Sequence, residues 1–442
     1  MIGIFLFLFF LIYFIFSIKE TGKISLAFLT ICLISIFFNR SINILGVKYV
    51  SFFNYVCLIY VILAFIRNKT SELCRKSVIF FSTYLISLVI WSILNDTLFS
   101  EGMMIGFRRV LAWFCLALYG CLTLKHREDF NKIVHAVTPF LFFLTIYGLF
   151  CYITQSNPIL NSIFSYTGVD DKMLSYFSQE SRGGLTGRIQ GLTSHPLVYA
   201  GEMLMSFFFC MYSINIGDKI NVKLVVLLIL IVLNIFFTGC RSAIIGLGFG
   251  LLLYFLLPTT NDYFRKKFQK AIIILVSIAL VYTPFIEEYR DFLNSIVFFW
   301  QESEKTVSGS SFLLRIGQLY SSFEIISSNS NSLLFGLGHN WCNMYALSHD
   351  GMHPDLYGFE SIVFVGLIEF GIIGFFFLTL GLYFLYLELS LKFGKSSVIT
   401  AVVFGYLTFQ VFTGDYSSDH FLIFTLLMIK NQYLLSYKKL HT

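Results

Sequence analysis

Long apolar runs alternate with short polar segments along almost the whole chain. A helix that crosses a membrane needs ~20 mostly apolar residues, because the hydrocarbon core is about 30 Å thick and each residue rises 1.5 Å. Lipid cannot satisfy backbone N–H and C=O groups, so such runs must be helical. The pattern predicts an all-α polytopic membrane protein with about 13 transmembrane helices, or 12 to 14 because one run is short. The predicted spans are 2–18, 24–38, 50–66, 77–94, 103–124, 133–154, 193–214, 221–238, 241–257, 271–286, 360–388, 396–412 and 419–436.

Two polar segments, 155–192 and 287–359, are much longer than the other connections. The longer one contains stretches that favour short helices, and a chain made mostly of membrane helix has little reason to carry it without a function. These loops divide the chain into N-terminal transmembrane helices (1–154), a first outer loop (155–192), central transmembrane helices (193–286), a large outer loop (287–359) and C-terminal transmembrane helices (360–442).

The composition excludes an ordinary soluble domain. Hydrophobic residues make up 57% of the chain and charged residues 13%, about half the usual charged fraction, and the mean hydropathy is +0.78. The nine cysteines show no metal-ligand spacing, so no metal site and no cofactor are predicted. The N-terminus lacks the basic region of a cleaved signal peptide, which predicts a retained first helix. The net charge of +6 gives no indication of a nucleic-acid partner.

The distribution of basic residues predicts the orientation of the helices, because Lys and Arg near helix ends are retained in the cytoplasm. From the third span onward, the basic residues of one side are mostly Lys, and we assign that side to the cytoplasm. On the opposite side, seven of the nine basic residues are Arg. These nine are Arg108, Arg109, Lys172, Arg182, Arg188, Arg241, Arg290, Lys305 and Arg315.

This excess of Arg on the outer side indicates an anionic ligand. The guanidinium group offers a planar fork of donors that matches carboxylate and phosphate oxygens. Arg108, Arg109 and Arg241 lie within or beside predicted spans, where charge is expensive and usually functional. A diphosphate on a lipid carrier is the obvious candidate. The alternative is that these side chains reach lipid headgroups or pair with acidic residues of the loops.

Two stretches contain candidate binding residues. Between Arg188 and Glu202, the segment Ser194-His195-Pro196 is typical of a helix start, where unpaired N–H groups favour anions. His195 is either a proton carrier or a structural residue at this helix start. Glu202 lies seven residues further on, nearly on the same helix face, as a candidate partner for an Arg. The second stretch begins at Arg241, where the small residues that follow permit close helix packing.

The large loop contains a predicted helix near the membrane surface, with Arg315 along its edge. Its apolar stripe consists of Phe312, Ile316, Leu319, Phe323 and Ile326. The turn Leu334-Phe-Gly-Leu-Gly-His339 follows, and at Glu360 the chain returns to apolar sequence.

Four landmarks follow one another on the outer side. They are Arg-x-x-Gly at 188–191 with a following Pro, Gly-Cys-Arg-Ser-Ala at 239–243, Leu-Arg at 314–315 before Phe-Gly-Leu-Gly-His, and Glu-x8-Glu-Phe-Gly-Ile-Ile-Gly at 360–374. Over roughly 180–385, their order and spacing resemble the O-antigen polymerase and O-antigen ligase superfamily of bacterial inner-membrane glycosyltransferases. Where this chain has Glu360, the ligase branch typically has His, and this departure favours the polymerase branch.

The resemblance implies a multi-pass GT-C glycosyltransferase of the bacterial inner membrane, whose active face and outer loops are periplasmic. Its donor would be an oligosaccharide linked to undecaprenyl diphosphate, its other partners the lipid bilayer and a chain-length regulator protein, and it would use no metal. Arginines that contact the diphosphate would correspond to Arg188, Arg241 and Arg315.

The chemistry requires a base for the acceptor hydroxyl and stabilisation of the departing diphosphate. Glu360 is the first candidate for the base, followed by His339, His349 and His353, and the alternative for Glu360 is a helix cap. The predicted function is an O-antigen polymerase that adds the growing glycan to the non-reducing end of a lipid-linked repeat unit. The alternatives are a ligase that transfers the glycan to lipid A core, a polysaccharide flippase or other transporter, and a purely structural membrane protein.

Overall fold

The structure, a computed structural model, describes most of the chain in nine segments. These are residues 2–44, 127–167, 188–193, 195–216, 221–257, 262–282, 312–338, 361–392 and 397–413, with single positions at 56, 59, 60, 62, 63, 119, 120, 123, 124, 294, 341 and 345. All secondary structure in these residues is helical, without strands, and the predicted all-α class is confirmed. The helices are α1 (Ile2–Thr21), α2 (Ile24–Ile44), α3 (Arg127–Thr154), α4 (Pro158–Thr167), α5 (Pro196–Ile216), α6 (Val222–Phe237), α7 (Arg241–Leu256), α8 (Asp262–Tyr282), α9 (Phe312–Ser327), α10 (Ser330–Phe335), α11 (Ile362–Lys392) and α12 (Ser397–Thr413).

Helix α5 is the centre of the bundle. Every side chain from Tyr199 to Ile214 is buried, and α5 packs against α3, α6, α7 and α12. A helix that is apolar on all sides can be stable only in such a surrounded position or in lipid. Helices α1 and α2 pack against each other and against α3 at the edge of this core.

Several outer helices expose apolar side chains in stripes with helical spacing. On α3 the stripe consists of Phe143, Ile146, Phe150 and Ile153. The exposed stripe of α6 consists of Val222, Val226, Ile229 and Leu233. A bundle surrounded by water normally presents polar residues on such faces. These stripes are typical of helices that face lipid.

Two helices are long and apolar enough to cross a membrane by length and composition, Glu128–Thr154 and Pro196–Ile214. Five further apolar helices in the described residues are shorter, so the number of 13 crossings stays a prediction. The predicted spans at 50–66, 77–94, 103–124 and 419–436 lie wholly or largely outside the described residues. Helix α8 begins nine residues before its predicted span at 271, and α4 lies inside the predicted loop 155–192.

The most extensive helix contact joins α7 to α12, and glycines make it possible. A Cβ atom added to Gly250 would lie 2.6 Å from the Phe208 ring and 2.9 Å from the Ala401 carbonyl oxygen. At Gly405, an added Cβ would lie 2.8 Å from the Gly246 carbonyl oxygen. The predicted close packing is therefore present at Gly246 and Gly250, where the two backbones nearly touch.

The two ends of α3 are held by different groups. At its N-terminal end, Lys23 Nζ lies 3.1 Å from Asp129 Oδ1, and His135 Nδ1 lies 3.0 Å from Glu20 Oε2. At the other end, the ring of Tyr152 stacks on Phe237 with centroids 4.1 Å apart. A helix of 28 residues is ~42 Å long, so these two groups of contacts lie at opposite ends of the bundle.

Candidate functional site

The segment 188–193 docks onto the turn between α6 and α7. Arg188 Nε donates a hydrogen bond to the Thr238 carbonyl oxygen at 2.8 Å, and the Ile189 N–H donates to the Phe237 carbonyl oxygen at 3.1 Å. The Arg188 side chain is 1% exposed. Because Thr238 precedes Arg241 by three residues, this docking brings two of the predicted diphosphate-binding arginines to one end of the bundle.

The same segment is held from the other side by the connection between α3 and α4. Asn157 Nδ2 donates to the Gly191 carbonyl oxygen at 2.6 Å, and Asn157 Oδ1 accepts from the Tyr147 hydroxyl at 2.6 Å. Asn157 Oδ1 also accepts from the Leu160 N–H, which caps the start of α4. Segment 188–193 is therefore fixed between the C-terminal ends of α3 and α6.

A buried polar cluster beneath this segment explains why position 191 is glycine. Gly191 has φ +54°, and a Cβ atom there would lie 2.7 Å from Cδ2 of the Tyr199 ring. The Tyr199 hydroxyl donates towards the Leu144 carbonyl oxygen at 3.0 Å and Asn234 Oδ1 at 2.9 Å. Asn234 Nδ2 in turn donates to the Thr145 and Leu230 carbonyl oxygens. The cluster joins α3, α5 and α6 directly beneath segment 188–193.

The start of α5 follows directly from this segment. His195 Nδ1 accepts from the Leu197 N–H at 3.1 Å, and Pro196 occupies the first helical position. The His195 imidazole therefore caps the start of α5, which is the structural role that the sequence offered as the alternative to a proton carrier. Glu202 lies two turns further along α5 and is buried. Its carboxylate belongs to the same end of the bundle, within the first half of the central helix.

Arg241 is the first residue of α7 and is half-buried. The preceding turn is stabilised by its own side chains, because Thr238 Oγ1 donates to the Ile235 carbonyl oxygen at 2.6 Å and accepts from the Cys240 N–H at 3.2 Å. Gly239 completes the turn with φ +63°. The helix N-terminus and the guanidinium of Arg241 both carry positive charge, and together they favour an anion.

Helix α11 is kinked at Gly371, which has φ +63° and ψ −171°. The turn after α10 docks onto this kink through backbone atoms. The Leu337 N–H donates to the Ile368 carbonyl oxygen at 2.8 Å, and the Gly338 N–H donates to the Glu369 carbonyl oxygen at 3.2 Å. The Phe-Gly-Leu-Gly turn at 335–338 and the Glu-Phe-Gly-Ile-Ile-Gly stretch at 369–374 therefore form one structural unit. Within it, the side chain of Glu369 is buried.

The start of α11 is capped by Ser361, whose Oγ accepts from the Val363 N–H at 3.2 Å. This cap lies one residue after Glu360, so the capping role that was the alternative for Glu360 is filled by its neighbour. Glu360 itself lies outside the described residues, as do the candidates His339, His349 and His353 and the arginines at 108 and 109.

The helix predicted on the Phe312–Ile326 stripe is present as α9, and it packs on α10 and α11. Its buried face carries Gln318, Ser322 and Ile326, whereas the apolar side chains of Ile316, Leu319 and Phe323 are 36–49% exposed. The predicted apolar stripe is therefore divided between the buried and the exposed face of α9. Arg315 is in the first turn of α9, and its side chain lies outside the described part.

Of the predicted site residues, the structure gathers Arg188, Arg241, His195 and Glu202 at one end of the bundle. Sequence reasoning missed Asn157, which binds segment 188–193, and Gln190, which lies within it. An Asn followed by Pro is a readable helix start. The position of Gln190 between an Arg and a Gly of the same landmark was the only available signal for it.

In the described part of the chain, no group of three or more His, Cys, Asp or Glu side chains is placed to hold a metal ion. No protein-family model matches the chain, and no curated protein matches it either.

Proposed function

We propose that this chain is an O-antigen polymerase of the bacterial inner membrane. It transfers a growing glycan from undecaprenyl diphosphate to the non-reducing end of the next lipid-linked repeat unit. In this proposal the chain crosses the bilayer about 13 times, and the face that carries Arg188 and Arg241 is periplasmic.

One observation carries the proposal: Arg188 binds the Thr238 carbonyl oxygen three residues before Arg241, at the end of the bundle remote from the Lys23–Asp129 pair. Arg188 is buried and held by a carbonyl oxygen, so its guanidinium is oriented before a ligand arrives. Preorganised donors of this kind lower the energy of a transition state in which negative charge develops. A departing polyprenyl diphosphate is such a group.

The surface of the protein supports a membrane location. The exposed apolar stripes of α3 and α6 fit the acyl chains of a bilayer. On α9, the apolar side chains of Ile316, Leu319 and Phe323 are 36–49% exposed, which fits a helix that lies on the outer membrane surface. A substrate with a long polyprenyl chain would reach the arginines from the bilayer.

The proposed reaction needs no nucleotide, because a sugar bonded through C1 to a diphosphate is already activated. The acceptor hydroxyl oxygen attacks C1, and the bond between C1 and the diphosphate oxygen breaks. Glu360 is the proposed base that takes the hydroxyl proton. The electron pair of the broken bond remains on the diphosphate, where Arg188, Arg241 and the N-terminus of α7 stabilise it.

The test is the lipopolysaccharide of a strain that lacks this gene and is complemented with Arg188→Ala, Arg241→Ala or Glu360→Gln. We expect loss of the ladder and accumulation of core with a single repeat unit. Removal of one preorganised donor typically lowers the rate 10²–10³-fold. Lys223→Ala is the control, because Lys223 is exposed at the opposite end of α6 and should leave the ladder intact.

Each other outcome contradicts the proposal in a distinguishable way. Full ladders from all three variants, at normal protein levels in the membrane, would show that these residues do not act in polymerisation. Bare core without any repeat unit would favour a ligase. Purified protein that forms no polymer from lipid-linked repeat units but moves them across a vesicle membrane would favour a flippase.

A further inference from the structure

Gln190 is a buried side chain whose polar atoms have no partner. Its exposed fraction is 0%, and neither Nε2 nor Oε1 makes a hydrogen bond. A buried amide without partners is destabilising, because its hydrogen bonds to water are lost and not replaced. Such groups are rare in native proteins, and each one calls for an explanation.

The segment around Gln190 is held in place by hydrogen bonds of its neighbours and of its own backbone. Its neighbours Arg188 and Gly191 are bonded to Thr238 and Asn157. The backbone carbonyl of Gln190 itself accepts from Thr193 Oγ1 at 2.8 Å and from the Thr193 N–H at 3.0 Å. The backbone at position 190 is therefore fixed, whereas both polar atoms of its side-chain amide are left without a hydrogen bond.

We propose that the Gln190 amide binds hydroxyl groups of the sugar attached to the diphosphate, an inference that rests on the proposed function. A carboxamide has both a donor and an acceptor. Diphosphate oxygens only accept hydrogen bonds, so they can satisfy Nε2 but not Oε1. Sugar hydroxyls donate and accept, so a pair of them satisfies both atoms. With Arg188 two residues away, the arginine binds the diphosphate and Gln190 binds the adjoining sugar.

The experiment uses the full-length purified chain in detergent, with Gln190→Met as the variant, because Met has similar length and no hydrogen-bonding groups. Asn234→Leu is the matched control, since Asn234 is equally buried but has partners for both amide atoms. Melting temperatures are measured alone and in titrations with geranylgeranyl diphosphate and with geranylgeranyl-diphospho-N-acetylglucosamine.

Without a probe, we expect Gln190→Met to melt about 1–3 °C above the wild type, because the unpaired amide is removed. Asn234→Leu should melt below the wild type. The sugar-bearing probe should bind Gln190→Met roughly 10-fold more weakly than the wild type, since two hydrogen bonds are lost. The bare diphosphate should bind both proteins equally.

The remaining outcomes overturn the inference. A melting temperature lowered as in Asn234→Leu would mean that the amide has a structural partner. Unchanged binding of the sugar-bearing probe to Gln190→Met, with normal diphosphate binding, would refute the role of Gln190 and leave the proposed function standing. A wild type that responds to neither probe would refute the proposed function, and the sugar contact with it.

Discussion

Replacing Gly336 with alanine is expected to release α9 and α10 from the kink in α11. Gly336 has φ +77° and ψ −173°, a conformation that is essentially restricted to glycine and costs another residue roughly 1–3 kcal/mol. The added methyl group would also overlap the backbone between Glu369 and Phe370, which cannot move aside as a flexible side chain can. Displacement of the turn breaks the hydrogen bonds from the Leu337 and Gly338 amides, worth about 0.5–1.5 kcal/mol each.

Together these effects amount to about 2–6 kcal/mol against the docked state. The assay is hydrogen–deuterium exchange by mass spectrometry on peptides that contain Leu337 and Gly338. Because 1.4 kcal/mol corresponds to a factor of 10, exchange at these amides should accelerate at least about 30-fold. Gly317→Ala is the control, since Gly317 lies within α9 with open space around it. Wild-type protection of these amides in Gly336→Ala would refute the reasoning.

Two further glycine substitutions test the packing of the bundle and the position of the arginine segment. Gly250→Ala should lower the free energy of unfolding in detergent by about 1–3 kcal/mol, because α7 and α12 must separate. Gly248→Ala faces open space and should be neutral or stabilising. Thermal unfolding of both variants tests this prediction. Gly191→Ala should displace segment 188–193 from the Tyr199 ring and reduce the ladder, whereas Gly22→Ala, with φ +66° but no neighbouring atom, should leave the ladder unchanged. Equal effects within either pair would contradict the structural explanation.

Hydropathy predicted a helix correctly where the apolar run and the helix both stop at the same polar turn. The spans predicted at 221–238 and 241–257 correspond closely to α6 and α7, which are separated by the Thr238–Cys240 turn. Helix α8 was predicted too short, because its first turns carry the basic residues 265–267 and 270. Hydropathy marks the part of a helix that suits lipid, and a helix that extends beyond it carries no such mark.

The kink in α11 could not be predicted from local sequence. Its cause is the docked turn at Gly336, 35 residues earlier in the chain, and nothing near Gly371 indicates that partner. The location of Arg188 and Arg241 at one end of the bundle was predictable from the excess of Arg on one side. The position of Arg188 depends on the Thr238 carbonyl oxygen and on Asn157, which are contacts between distant segments that no periodicity encodes.

The large loop is attached to α11 through main-chain atoms on both partners. These hydrogen bonds need no particular side chain apart from the two glycines that let the backbones approach, and the side chains of Ile326 and Leu337 add apolar packing. Substitutions at the exposed positions of residues 312–338 should therefore leave this attachment intact. Among divergent relatives, this pair of glycines should persist, because a side chain at either position would overlap the partner backbone.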